Sequence, residues 1–310
     1  MALFRSLLLF IAIALFPEHA LAANSANSEH QRSDHEIRVK RLVAVNGLHQ
    51  ANVMMAQRLR ESLLEDVLAD AGGSLTAAQR ERFEAIVSPI CQRLVMRLDD
   101  RAVHDMAPRL NSADVEELIG INTSPLGARF VSDMASNQAF DLKKFDNYVQ
   151  KTAQNIVSAM KAGTSYSFAN GTVFTSREDA EAAKVVFALS GNKRVLEKVM
   201  NDIFVYRLLE SVNSRLPLEA LTETEKARFK PILIAGRNSL KSNIENHFVS
   251  YLAKRFNIDE LKSLAQLYQT PTIAKSVDAV MEIDTSNREY VASELKVGRT
   301  EFSAKYRAAN

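Results

Sequence analysis

The chain has 310 residues, of which 46% are hydrophobic and 25% charged, with 10 glycines, 7 prolines and no tryptophan. This composition excludes a wholly disordered chain, a collagen-like chain and a small disulfide-stapled protein, and the length favours about two domains. The 39 basic and 37 acidic residues leave a formal net charge of +2. We therefore expect no nucleic-acid partner and no strongly anionic partner, because the chain has no strong net field.

The first 22 residues are predicted to be an export signal. Arg5 gives a short basic start, the run from Leu7 to Phe16 carries no charge, and residues 20–22 read Ala-Leu-Ala, with small residues where a signal peptidase cleaves. An uncharged run of about ten residues is too short for a hydrocarbon core, which takes roughly 20. We expect cleavage after Ala22, export to the periplasm, no lipid anchor and no transmembrane segment in the mature chain.

Residues 23–35 are polar and are predicted to form a flexible lead. The mature chain has a single cysteine, Cys91, beside the apolar stripe of a predicted helix. One cysteine cannot form an internal disulfide, so no disulfide framework is expected. The sequence favours a buried, inert thiol over a reactive or intermolecular one.

The rest of the chain has the periodicity of α-helices. Apolar residues recur three and four positions apart along segments that contain few glycines or prolines. One such face consists of Leu196, Val199, Met200, Ile203, Leu208 and Val212. The pattern predicts an all-α fold.

Helix-start signals occur twice, 146 residues apart. They comprise two capping boxes, two asparagine N-caps and two N-caps followed by proline, whose missing N–H costs nothing in a first turn. The pairs are Thr76-x-x-Gln79 with Thr222-x-x-Glu225, Asn111 with Asn257, and Ser124-Pro125 with Thr270-Pro271. Residues 75–136 and 221–282 share 14 identities in 62 positions. We infer an internal duplication of one helical unit.

The predicted copies span residues 36–162 and 184–310, with about five helices each. The first copy is expected to have helices at 36–69, 76–108, 112–122, 125–136 and 141–161, and the second at 192–215, 222–255, 258–268, 271–282 and 287–307. Pro89 and Pro231 lie inside the long second helices and are expected to bend or split them. In the connector, residues 163–183, the pair Asn170-Gly171 allows a short β-hairpin.

The proline-containing helix starts resemble a family of exported Gram-negative bacterial proteins that carry the domain of unknown function 2059. In that family a helix ends near a tyrosine and is followed by a Ser/Thr-Pro-x-Gly start. Residues 124–127 match the second part and residues 267–271 the first, whereas Asn122 replaces the tyrosine in copy one and Ile273 replaces the glycine in copy two. The resemblance implies an all-helical periplasmic domain and supplies no catalytic residues.

No arrangement of residues typical of catalysis or of metal binding is found in the sequence. The six histidines are His19, His30, His35, His49, His104 and His247, and none has the spacing of a ligand pair. Nucleophile elbows and phosphate loops are absent, and the carboxylate pairs Glu116-Glu117, Glu282/Asp284 and Asp99-Asp100 point in different directions on a helix. We therefore predict no catalytic, metal or cofactor-binding residue and no cofactor.

Two further features have a structural and a functional interpretation. Tyr268 either lines a groove or fills the corner between two helices, and the second is favoured because aromatic residues bury large apolar areas. The basic cluster Arg38, Lys40 and Arg41, with Arg32 nearby, either touches an anionic lipid surface or belongs to a solvated helix start. The interleaved acidic residues favour the solvated helix.

These observations favour an exported, non-catalytic interaction or accessory protein of the cell envelope, with an envelope protein or a cell-wall component as its partner. Two alternatives stay open. One is an envelope hydrolase whose site the motifs do not reveal. The other is a carrier that holds an apolar ligand in a cavity between helices.

Overall fold

The computed structural model describes residues 27–136, 139, 141–164, 177–200, 204–281 and 285–308. These residues form thirteen α-helices and no β-strand, which confirms the predicted all-α class. The helices are α1 (Asn27–Val45), α2 (Leu48–Asp70), α3 (Ala77–Met106), α4 (Ser112–Thr123), α5 (Pro125–Met134), α6 (Leu142–Ala162), α7 (Arg177–Leu189), α8 (Asn192–Val199), α9 (Val205–Asn213), α10 (Glu223–Arg255), α11 (Ile258–Tyr268), α12 (Pro271–Met281) and α13 (Thr285–Ala308). The predicted export signal and hairpin lie outside the described residues.

The predicted capping boxes are present with matching geometry in both halves of the chain. Thr76 and Thr222 have φ/ψ of −64/162° and −64/161°, and each accepts a hydrogen bond from the backbone N–H three residues on. Asn111 and Asn257 also form capping boxes, at −79/171° and −74/171°. Each box satisfies two N–H groups that would otherwise lack a partner at a helix start.

A glycine lies at a junction between two helices in each half of the chain. Gly47 has φ +90° between α1 and α2, and Gly191 has φ +80° between α7 and α8. Glycine adopts this left-handed conformation without the strain that a Cβ causes. The helix expected at 36–69 is therefore two helices, and α1 begins at Asn27. Residues 27–35, predicted as part of a flexible lead, are helical, and His35 Nε2 lies 2.9 Å from the carbonyl oxygen of Ala107.

The two internal prolines do not split their helices. Pro89 lies within α3 and Pro231 within α10, and both helices continue past them. Because proline has no backbone N–H, each one removes the hydrogen bond that the carbonyl oxygen four residues earlier would accept. Ala85 and Ala227, which carry those carbonyl groups, are exposed, so water can take the place of the missing N–H.

The chain divides into two compact units. Unit 1 comprises the residues up to Ala135 together with those from Pro271 onward, and unit 2 comprises Ser136–Thr270. These boundaries differ from the predicted copies, 36–162 and 184–310. The reason is that α6, which ends the first copy, packs on α9 and α10 of unit 2, whereas α13, which ends the second copy, packs on α2 and α3 of unit 1.

Each unit has its own apolar core. In unit 1, Met55, Leu59 and Phe83 are at most 1% exposed, and Phe83 contacts Phe302 edge-to-face with ring centroids 5.4 Å apart. In unit 2, Phe248 stacks on Phe187 at 5.4 Å and lies 5.6 Å from Phe145. None of the described helices combines the length and apolar character needed to cross a membrane.

Candidate functional site

An apolar groove lies between α2 and α3 in unit 1, with a volume of about 460 Å³. Its lining residues recur at helical spacing, so that one face of each helix contributes. They are Val53, Ala56, Gln57 and Arg60 from α2, and Cys91, Gln92, Val95 and Met96 from α3. Met96 is 63% exposed, so the groove is open to water on the side of α3.

Small side chains create the space in the groove. Ala56 is buried beneath it, and the Cys91 Sγ donates a hydrogen bond to the Ala56 carbonyl oxygen at 3.3 Å. The larger neighbours Leu59 and Leu94 are buried. Apart from Ala56, the groove is therefore lined by residues of α2 and α3 that lie outside the unit 1 core.

An ion pair lies beside the Arg60 end of the groove. Arg60 binds Glu84 through two hydrogen bonds, one of them from Nε to Oε2 at 3.1 Å. Such bidentate pairs fix both side chains. The Arg60 charge is thus compensated within the protein, and the remaining lining is aliphatic or neutral.

Unit 2 has a polar contact where the predicted duplication would place the groove. The positions that match Val53 and Val95 at offsets of 144 and 146 residues are Glu197 and Lys241. Lys241 Nζ lies 2.7 Å from Glu197 Oε1, and this contact lowers the pKa of the Glu197 carboxyl group. Two valines in one half thus correspond to a polar bridge in the other.

Cys91 is half-buried in the groove rather than fully buried as predicted from the sequence. Burial raises the pKa of its thiol to about 11, against 9.0 for an unperturbed thiol. The thiol is therefore protonated at neutral pH. This favours the inert role over the reactive one, because the thiolate is the nucleophile.

We expect iodoacetamide to alkylate Cys91 slowly in the folded protein. At pH 8 the raised pKa leaves about 100-fold less thiolate than in the unfolded chain. The rate in the folded state should continue to rise between pH 9 and pH 11, where an unfolded thiol levels off. Mass spectrometry of the alkylated protein, with and without urea, measures both rates. Equal rates at pH 8 in the two states would contradict the assignment.

A polar cluster joins α2 to α3 near the groove. His49 Nδ1 lies 2.7 Å from Asp99 Oδ2, and Asn52 Nδ2 donates to Asp99 Oδ1 at 2.8 Å. Asn52 is fully buried, and its own Oδ1 has no hydrogen-bond partner among the described residues. The sequence analysis missed this cluster, because Asp99 follows His49 by 50 residues and no motif links them.

The cluster resembles part of a hydrolase site, but its counterpart in unit 2 favours a structural role. At the positions that match His49 and Asp99, Lys193 and Glu245 form an ion pair with an N–O distance of 4.0 Å. What the two places share is a basic side chain against a carboxylate, which joins two helices in either case. Within the described residues, His49 is hydrogen-bonded to Asp99 and to no hydroxyl or thiol group.

The other candidate residues have structural partners. Tyr268 is 6% exposed, and burial raises its pKa, as expected for a side chain that fills a helix corner. Arg38 pairs with Glu116 at 3.6 Å, and Lys40 pairs with Asp100 at 3.6 Å. This supports a solvated helix at the basic cluster.

Glu117 and His247 also have hydrogen-bond partners within the protein. The Glu117 carboxylate accepts a hydrogen bond from the Thr272 hydroxyl at 2.6 Å, and His247 Nε2 lies 3.1 Å from the Ala139 carbonyl oxygen. Glu282 and Asp284 lie outside the described residues. Among the residues that the structure describes, no three His, Cys, Asp or Glu side chains are grouped as metal ligands.

The Ser124-Pro125-Leu126-Gly127 turn joins α4 directly to α5. Ser124 ends one helix and caps the next: its Oγ accepts a hydrogen bond from Gly127 N–H at 3.1 Å and donates to the Ile121 carbonyl oxygen at 2.7 Å. A Cβ on Gly127 would lie 2.0 Å from that same oxygen. Only glycine fits there without a movement of the backbone.

Comparisons of the chain with protein-family models, with curated proteins and with solved structures gave no match.

Proposed function

We propose that the chain is an exported, non-catalytic binding protein of the cell envelope and that the groove between α2 and α3 is its binding surface. The observation that carries the proposal is the apolar lining of this groove, with Met96 63% exposed. Holding such a surface open to water is unfavourable, and the removal of its apolar area from water would stabilise a complex. The valines of the groove are not needed for the fold, since unit 2 has an ion pair at their positions.

The groove favours a particular class of partner. Its surface is mostly apolar, and Arg60 is already paired with Glu84, which leaves Gln57 and Gln92 as the main groups that could bind the hydroxyl groups of a cell-wall sugar. Hydroxyl groups buried against the rest of the lining would lose their bonds to water. An envelope protein that inserts apolar side chains fits the lining better. The export signal and the resemblance to an exported family support a periplasmic location for this interaction.

A carrier of a small apolar ligand is the second candidate. Its support is the groove volume of about 460 Å³, which lies within the range of roughly 300–1,000 Å³ that is usual for small-ligand sites. In this case the ligand itself, rather than side chains of a protein, would cover Val53, Val95 and Met96.

Closing the groove with the residues of unit 2 tests both candidates. The double variant Val53→Glu with Val95→Lys reproduces the Glu197–Lys241 pair and should fold normally. We expect its affinity for the fluorescent apolar probe N-phenyl-1-naphthylamine to fall by about tenfold or more, because a charged pair replaces apolar lining. Fluorescence titration measures the change.

The matched control places the same two charges on exposed apolar positions outside the groove, as Ile37→Glu with Val297→Lys. It should bind the probe as the wild type does. Equal probe affinity in the wild type and the groove variant would refute the groove as the binding surface. If a purified envelope protein displaces the probe, the interaction protein is favoured, whereas displacement by an extracted lipid favours the carrier.

A further inference from the structure

The helix that completes each unit comes from the other predicted copy. In unit 1, α2 and α3 of the first copy are covered by α13, the last helix of the second copy. In unit 2, α9 and α10 of the second copy are covered by α6, the last helix of the first copy. The two predicted copies thus have exchanged their last helices.

The exchanged helices bury the same positions. In α6, Phe145, Val149, Thr152 and Ile156 are buried, and the residues 146 positions later in α13 are Val291, Leu295, Gly298 and Phe302, which are also buried. The two helices therefore present equivalent faces to equivalent surfaces. What differs between them is the size and charge of individual side chains.

The sizes of the side chains match α13 to the surface of unit 1 and α6 to the surface of unit 2. A Cβ on Gly298 would lie 3.1 Å from Leu59 Cδ2 and 3.3 Å from Ile90 Cγ2, so α13 packs closely on unit 1. The residue of α6 at this position is Thr152, which would meet Leu59 and Ile90 if α6 lay on α3. In α10, however, buried Gly236 stands where α3 has Ile90, which leaves room for a larger residue on α6.

The charged residues of α13 also match those of α3, on which it packs. Arg97 Nη1 lies 2.8 Å from Glu294 Oε2, and Arg93 Nη2 lies 2.5 Å from Glu301 Oε1, both between α3 and α13. At the equivalent positions unit 2 has only neutral residues. These are Asn243 and Ser239 in α10, and Tyr148 and Asn155 in α6. If α13 lay on α10, the two glutamates would lose their arginine partners.

We propose that the duplicated chain is built by a reciprocal exchange of last helices and that these size and charge matches specify it. The surface formed by α2 and α3 accepts a helix with a small residue at position 298 and acidic residues at positions 294 and 301. The helix of its own copy, α6, has none of the three. Each unit is therefore complete only when the other copy supplies its last helix.

Two equivalent truncations in the full-length chain test the exchange. Phe302→Ala in α13 is expected to speed amide hydrogen exchange in α2 and α3 by about tenfold or more and to leave α9 and α10 unchanged, because a lost core side chain destabilises the unit that it packs in. Ile156→Ala in α6, the matched variant, is expected to do the reverse. Faster exchange in α9 and α10 on Phe302→Ala would overturn the proposal.

A reversal of charge provides a second test, which does not depend on the removal of a core side chain. Glu294→Arg should lower the thermal unfolding midpoint, because it places a second cation beside Arg97. Addition of Arg97→Glu should restore the midpoint. Addition of Asn243→Glu, at the equivalent position of α10, should not. Restoration by Asn243→Glu instead of Arg97→Glu would assign α13 to its own copy and contradict the exchange.

Discussion

Replacement of Gly127 by alanine is expected to lower the free energy of unfolding by about 2–4 kcal/mol, since the new Cβ forces α4 and α5 apart. The nearest atom, the Ile121 carbonyl oxygen, belongs to the backbone and would be only 2.0 Å from that Cβ. It cannot move aside as a flexible side chain would. Urea unfolding followed by circular dichroism measures the loss.

Gly120→Ala is the matched control for this prediction. Gly120 lies in α4, seven residues earlier, and a Cβ there would meet no atom within 4 Å. Alanine should therefore stabilise the helix by about 0.5–1 kcal/mol, as expected when glycine is replaced in a helix interior. Similar effects of the two substitutions would show that the turn does not need its glycine.

The turn of the predicted second copy, where Ile273 replaces the glycine, has a different helix end. α11 ends at Tyr268 with Gln269 as its C-cap, before α12 begins at Pro271. α4 instead continues to Thr123, and Ser124 is both its C-cap and the N-cap of α5. Gln269, the residue that matches Thr123, is therefore outside its helix, so the backbone before the proline differs between the two turns.

Replacement of Asp99 by alanine is expected to cost about 2–3 kcal/mol. The carboxylate accepts hydrogen bonds from Asn52 and His49, and its loss leaves the buried Asn52 amide without a partner at either end. A buried polar group that loses its partner costs about 1–3 kcal/mol, and the His49 contact adds to this.

Two control variants accompany Asp99→Ala. Asp100→Ala should change stability by less than about 0.5 kcal/mol, because its ion pair with Lys40 is exposed. His49→Lys should be tolerated, because Lys193 occupies the equivalent position of unit 2. Urea unfolding measures all three variants. A loss of stability in Asp100→Ala as large as that in Asp99→Ala would contradict the role given to the buried cluster.

Features that depend on neighbouring residues were predictable from the sequence. A capping box needs only two residues three apart, so Thr76, Thr222, Asn111 and Asn257 could be assigned as N-caps with no knowledge of the tertiary structure. The cap predicted at Thr270 stays a prediction. Splitting of the helices at the prolines was a wrong expectation, because the effect of Pro89 depends on whether the carbonyl group of Ala85 faces water, which the local sequence does not state.

Features that depend on pairs of distant segments were not predictable. The lining of the groove comes from α2 and α3, and Val53 and Val95 are 42 residues apart. Periodicity identifies each helix face but not the space between two faces. The sequence also does not show whether α6 or α13 packs on α3, because both helices have the same apolar pattern and differ at single positions such as Gly298.

The proposed function requires that the groove of unit 1 is a binding surface in the periplasm. Native mass spectrometry of the protein released from the periplasm without detergent tests it most directly. The wild type should have the mass of a chain that begins at Ala23 together with a bound protein or apolar molecule. The Val53→Glu/Val95→Lys variant should lack that bound species, and the Ile37→Glu/Val297→Lys control should keep it. The same bound species on the wild type and the groove variant, or none on the wild type, would contradict the claim.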